Sequence, residues 1–356
     1  MHLLQTTIQA IRTPDAAIHQ AALQRLAVQA RPQGSLGVLE SLSARLAAIA
    51  GSLDVRLRKK IIVTCAGDHG VVAEGVSLFP QAVTPLMVYN FVQGGASVSV
   101  LAAHAGAEVR VADLGVNCDF DPELPIFHKK IGKGTANFAK QPAMSKEDAV
   151  RSIEAGIEIV NQLVQQESID ILGTGDMGIG NTTASSAVIA AFSGRDVREL
   201  TGRGTGIDDA MLENKITVIE KALSLHQPDP HDPLDILAKV GGFEIGGLAG
   251  LVIGAAAHGI PVVCDGLIST AGALIGCELA PMAKAYLFAS HNSVEAGHKY
   301  MLKHLGLAPL LDLQFRLGEG TGTAMAMHLL DAATRVLADI KTFAEVGINN
   351  AQQETC

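Results

Sequence analysis

The sequence predicts an α/β protein whose parallel sheet is covered on both faces by helices. Three observations predict it. Short apolar runs recur along the chain, each followed by Gly, Asp, Asn or Ser. Longer segments of helical pattern alternate with them, as parallel strands joined by crossover helices require. No low-complexity linker interrupts the series, so any second domain is built from flanking helices.

The elements follow in order. Residues 15–30 and 36–50 read as two amphipathic helices joined at the Pro/Gly break RPQGSLG. Residues 59–67, KKIIVTCAG, form a β-branched run ending in glycine, the pattern of a buried parallel strand entering a loop. Residues 109–114, 169–172, 260–264 and 286–289 repeat that pattern. Helices are predicted over 82–104, 145–166, 181–193, 208–225, 246–258, 294–304 and 322–340. The N-terminal pair and the C-terminal helix are expected to pack as a small helical domain.

Composition narrows the function. The 356 residues are 48% hydrophobic and 18% charged, a globular balance with ample material for a core. Aromatics make up 4% and Trp is absent, so the core is mostly aliphatic. A net charge of −9 argues against nucleic acid, which needs a basic face. Five scattered cysteines (Cys65, Cys118, Cys264, Cys277 and Cys356) form no CxxC pair, which argues against a disulfide framework or structural zinc. The N-terminus lacks the pattern of a signal peptide. The most apolar stretch, 247–264, is too interrupted for a membrane span. A cytoplasmic protein handling small molecules is expected.

In sheets of this kind ligands bind beyond the carboxyl ends of the strands. The loops to inspect are therefore AGDHGV (66–71), GTGDMGIGNTT (173–183), CDGLIST (264–270) and ASHNS (289–293), with TGRGTG (201–206) and GEGTGT (318–323) ahead of helices. GTGDMG is a literal GxGxxG after a strand, which raises a nicotinamide-dependent oxidoreductase. The acid at the right distance, Asp196, follows a helical pattern rather than a strand, and a phosphate or sugar loop fits NTTAS better. TGRGTG with Arg203 and Lys215 offers backbone amides plus a cation for a phosphate monoester, or an ordinary loop with a solvated lysine. Asp68 and His69 read as a loop-fixing pair more readily than as metal ligands, and His291 is ambiguous. Neither a GxSxG elbow nor a Walker A sequence is present. Most informative is RLGEGTGT (316–323), where Glu319 stands between glycines with little shielding, open to a ligand.

RPQGSLGVLE, AGDHGVVAEGVS, FPQAVT, GTGDMGIGNTT, LENK, KVGGFEIGGLAG, CDGLIST, SHNSVEAG and RLGEGTGTA occur in consistent order from about residue 31 to 340. Together they resemble the nicotinate-nucleotide–dimethylbenzimidazole phosphoribosyltransferase family, the CobT family of cobalamin lower-ligand assembly. The resemblance implies a Rossmann-like sheet domain over 56–334 and a small helical domain from 1–55 and 335–356. It implies transfer of phosphoribose from nicotinate mononucleotide to an aromatic base, giving an α-riboside 5′-phosphate, without cofactor or metal. Glu319 would be the catalytic base and Asp176 a supporting carboxylate. Phosphate and ribose contacts would fall on Gly178, Gly204, Lys215, Asp265, Gly266 and Ser293. The aromatic-base pocket would include Phe79, Leu86, Met87, Met177 and Leu317. A homodimer is implied, or a heterodimer with a homologous subunit in relatives that ribosylate phenol or p-cresol.

Two departures bear on the base. Asp176 stands where many family members carry Glu, and VTPLM, with Pro85 and Leu86, stands where many read VTAQM. The retained GEGTG segment argues against a non-catalytic binding subunit.

Overall fold

The run KKIIVTCAG becomes strand β1, Lys60–Gly67, and all eight of its residues are buried, as a strand at the centre of a parallel sheet must be. Around it stand β2 Ala107–Gly115, β3 Phe127–His128, β4 Ile171–Met177, β5 Val262–Cys264, β6 Leu287–His291 and β7 Pro309–Leu311. The computed structural model describes residues 1–348. All seven strands pair in parallel, in the order β3-β2-β1-β4-β5-β6-β7. The first six positions follow the doubly wound order, and the order reverses between β1 and β4, opening a crevice at their carboxyl ends.

Period-two alternation divides the helices into two layers. Ile61, Val63 and Cys65 of β1 face one apolar core, and Ile62 and Ala66 face the other. The first core is covered by α1 His2–Ala10, α6 Lys146–Gln166, α7 Asn181–Ser193, α8 Val197–Leu200, α9 Asp209–His226, α10 Pro233–Val240, α11 Phe243–Ala257, α12 Leu267–Leu279 and α13 His298–Leu305. The second is covered by α2 Ala16–Ala27, α3 Val38–Ala50, α4 Val83–Val92, α5 Ser97–Ala105 and α14 Thr321–Asp339. Helices α2 and α3 pack on α14, whereas α1 packs on α6 and α11 in the opposite layer.

Several elements differ from expectation for identifiable reasons. The helix predicted over 82–104 is two helices, α4 and α5, broken where Gly94 takes φ +78°. The stretch Val83–Ala105 has the length and apolarity of a membrane span, but that break divides it. Residues 173–177, which the sequence marks as loop, are the body of β4. Residues 267–270, marked the same way, open α12; eleven of its thirteen residues are buried, so no amphipathic stripe identifies it. Helices α1, α8 and α10 and the short strands β3 and β7 add to the predicted elements.

Candidate active site

The loop before α14 carries the most strained backbone near the crevice. Gly318, Glu319 and Gly320 take φ of +84°, +66° and +106°, three left-handed residues in succession. Two of them are glycine and tolerate it; Glu319 does not do so freely. Its neighbours hold it there. Thr64 Oγ1 of β1 donates to the Glu319 carbonyl at 2.9 Å. Asp265, just after β5, accepts the amides of Gly320 at 3.0 Å and Thr323 at 3.1 Å.

The glycines of β4 are the seat for this loop. A Cβ on Gly175 would lie 2.1 Å from the Glu319 carbonyl oxygen, and one on Gly173 would lie 2.3 Å from Thr323 Cγ2. A Cβ on Gly178 would meet the Gly67 carbonyl oxygen at 2.1 Å. The GxGxxG spacing of GTGDMG is thus consumed by packing against the protein's own chain, which removes the basis for a dinucleotide loop at its first two glycines.

Glu319 is buried, only 6% exposed, and not open as the sequence suggested. The covering comes from other elements: its Oε2 accepts the Val98 amide at the start of α5, 3.2 Å away. Burial raises its pKa above the ordinary 4.5, although the Val98 N–H acts the other way.

The side chain faces a cavity of about 430 Å³ at the carboxyl ends of the strands. Of the expected site residues, Asp176, Gly178, Gly204, Gly266, Ser293 and Glu319 line it. Phe79, Met87, Met177 and Leu317 line it as well. Lys215 and Asp265 stand behind the lining, both buried. Leu86 lies outside it, 67% exposed, because the face of α4 turned to the cavity carries Val83 and Met87, one turn apart.

Asp176, at the end of β4, accepts the Asn181 side-chain amide at 2.9 Å, while its Oδ1 is buried without a partner among the described residues. Burial, with Asp265 and Glu244 nearby, pushes its pKa well above 3.8. Lys215 Nζ donates to Thr182 Oγ1 at 2.8 Å and to the Gly202 carbonyl at 3.3 Å, and burial lowers its pKa to about 8. Arg203 turns away, bonded to Asp209 and to the Ile207 carbonyl. Asp68 and His69 have separate partners and do not fix the loop as a pair. Asp68 accepts the Asn117 amide at 2.8 Å, and His69 meets Glu244 at 2.7 Å beneath the crevice.

A corner lined by glycine backbone with a buried lysine behind it, beside an apolar flank and a carboxylate of raised proton affinity, has the chemistry to take a phosphorylated sugar. The family model described as phosphoribosyltransferase matches residues 11–348. The chain belongs to that phosphoribosyltransferase family. The nicotinate-nucleotide–dimethylbenzimidazole phosphoribosyltransferase of Geobacter sp. strain M21 is 56% identical over 350 residues, covering 98% of this chain and all of that one. The protein of the same name from Citrifermentans bemidjiense is 56% identical over 348 residues, 98% of this chain and 99% of that one. The crystal structure of CobT from Thermus thermophilus superposes with a TM-score of 0.90 at 42% identity, covering 94% of this chain and 99% of that one.

Within this phosphoribosyltransferase fold, the cavity also takes residues that sequence reasoning passes over. Arg316, Asn181, Thr182 and Glu295 all line it. Each sits inside or beside a noticed motif, NTT, SHNSVEAG or RLGEG, and that adjacency is the available signal.

Proposed function

We propose that this phosphoribosyltransferase moves 5-phosphoribose from nicotinate mononucleotide to a benzimidazole base, giving an α-riboside 5′-phosphate and nicotinate in cobalamin nucleotide-loop assembly. The observation that carries the reading is Glu319, a buried carboxylate of raised proton affinity facing the cavity. As the ring nitrogen with the free lone pair bonds to C1′, Glu319 takes the proton from the other, N–H nitrogen, leaving the ribosylated ring neutral. The C1′–nicotinate bond breaks with its electron pair passing to the ring nitrogen, which neutralises the pyridinium. Attack from the face opposite nicotinate inverts β to α.

The amides around Gly204 and Gly266, with Lys215 behind Thr182, hold the phosphate, and Ser293 and Gly178 border the ribose. Phe79, Met87, Met177 and Leu317 give the aromatic base an apolar bed. Asp176 supports the transfer from the cavity wall, with its unpartnered Oδ1 free to meet the substrate. Asp265 works through the loop it clamps. Leu86 lies outside that bed.

A dimer is supported by exposed apolar side chains that line the cavity, Phe79 and Leu317. Residues 1–55 and 335–356 are proposed as a helical unit. The packing of α2 and α3 on α14 supports this, α1 stands apart from it, and residues 349–356 lie outside the described residues. Free Cys65, Cys118, Cys264 and Cys277 fit a reducing, cytoplasmic setting.

The test is incubation with nicotinate mononucleotide and a panel of benzimidazoles and phenols, with products resolved by mass spectrometry. An α-riboside phosphate of a benzimidazole is expected. No product with any acceptor defeats the reading, and product from phenols alone would transfer it to the phenolic relatives, which no observation on the cavity favours.

A further inference from the structure

The anion-binding corner of the cavity already holds one of the protein's own acids. Lys215 donates to Thr182 and Gly202 there, and Arg316 donates to the Gly204 carbonyl at 3.3 Å. Glu295 enters the same corner from the segment after β6. Its Oε1 accepts the Gly204 amide N–H at 2.9 Å. Its Oε2 is buried without a hydrogen-bond partner among the described residues. The fit is close, since a Cβ on Gly202 would fall 2.1 Å from that oxygen. The residue as a whole is 7% exposed and lines the cavity.

A buried carboxylate with one bare oxygen is costly unless a specific arrangement requires it. Here it uses the backbone amide that an incoming phosphate needs. Carboxylate and ionised phosphate are both acceptors and both negative, so they cannot share one N–H. We infer that Glu295 is an internal stand-in for the substrate's phosphate: its carboxylate, which accepts the Gly204 amide, competes with a phosphate monoester for that N–H and withdraws when the phosphate takes its place. The inference rests on the phosphate corner proposed above and adds to it a positioning residue that keeps the 202–206 loop formed between turnovers. It also gives product a competitor for its own site, which promotes release.

The test measures binding of inorganic phosphate by calorimetry, with KM for nicotinate mononucleotide and kcat, in the wild type, Glu295→Gln and Glu295→Asp. The Gln variant keeps the shape but removes the like charge. It is expected to bind phosphate roughly tenfold tighter and to lower KM by a similar factor, while kcat falls as product leaves more slowly. The Asp variant keeps the charge but is one methylene too short for Gly204, and is expected to show a smaller change in the same direction. It carries the test if the Gln variant does not fold. Phosphate binding unchanged or weakened in the folded variants overturns the inference, and weakening with a raised KM would show that Glu295 grips substrate instead. A wild type that binds neither phosphate nor mononucleotide, or binds phosphate no less well after Lys215→Ala, would overturn the phosphate corner itself.

Discussion

Glu319 occupies a backbone conformation that costs an L-residue roughly 1–2 kcal/mol, and it does so where its carboxylate is most useful. The contacts from Thr64 and Asp265 offset that cost and fix the direction of the side chain. Only the ionised form can take a proton, and burial raises the pKa. Turnover should therefore rise with pH through a value above the ordinary 4.5. Glu319→Gln keeps the shape without the basicity. It is expected to lower kcat roughly 10²- to 10⁴-fold and erase that acid limb, while calorimetry still detects nicotinate mononucleotide binding. A near-normal kcat in the variant would remove Glu319 from the role of base.

At the scale of elements, the active site depends on how closely α14 approaches β4. A methyl group at residue 175 would have to displace the Glu319 carbonyl, which is also the acceptor for Thr64. Gly175→Ala is expected to cost about 1–3 kcal/mol in urea unfolding. It should lower kcat more than that stability loss explains, because the displaced loop carries the proposed base. An unaltered kcat would show that the seat does not position the base. The same contact explains why β4 reads as a loop in the sequence. Glycine has weak strand propensity, and only the distant loop supplies its reason for being there. Strand β1 is legible because Ile61, Ile62 and Val63 declare a buried strand locally, and α6 because its apolar stripe is strong. Helices buried nearly all round, such as α12, show no period. Motif glycines point to the cavity, but single charges such as Glu295 and Arg316 look solvated until tertiary packing buries or aims them. The outward turn of Leu86 depends on a one-residue offset on α4 that a motif comparison does not resolve.

Across the whole molecule, four acids (Asp68, Asp176, Asp265 and Glu319) share the buried end of the sheet with their pKa values raised, Asp265 to about 7. The folded state therefore binds more protons than the unfolded chain between the ordinary carboxylate range and those raised values. For these acids stability falls as pH rises through that window, whereas the buried His291 and His298, held down to about 4 and about 3, add stability as pH rises toward their ordinary 6.5. Surface acids such as Glu108 and Glu154 are shifted down and act oppositely, adding stability that is lost as pH falls toward their pKa values. Stability is thus expected to peak on the acid side of neutrality. The melting temperature should drop between about pH 6.5 and about pH 7.5, where those histidines are mostly neutral in both states, and Asp176→Asn should flatten that drop. A melting temperature that climbs over this interval would contradict the burial of these acids.

The hydrogen bond from Thr64 to the Glu319 carbonyl joins residues 255 positions apart. On the ribosome, at about 5–20 residues per second, Thr64 waits roughly 13–50 s for its partner to be made. The central strand is among the first parts of the sheet to be synthesised, and the base is among the last side chains added. A nascent chain that ends before residue 319 carries β1 with the Thr64 hydroxyl lacking its carbonyl partner and without the proposed base, so catalytic competence arrives only near the end of translation.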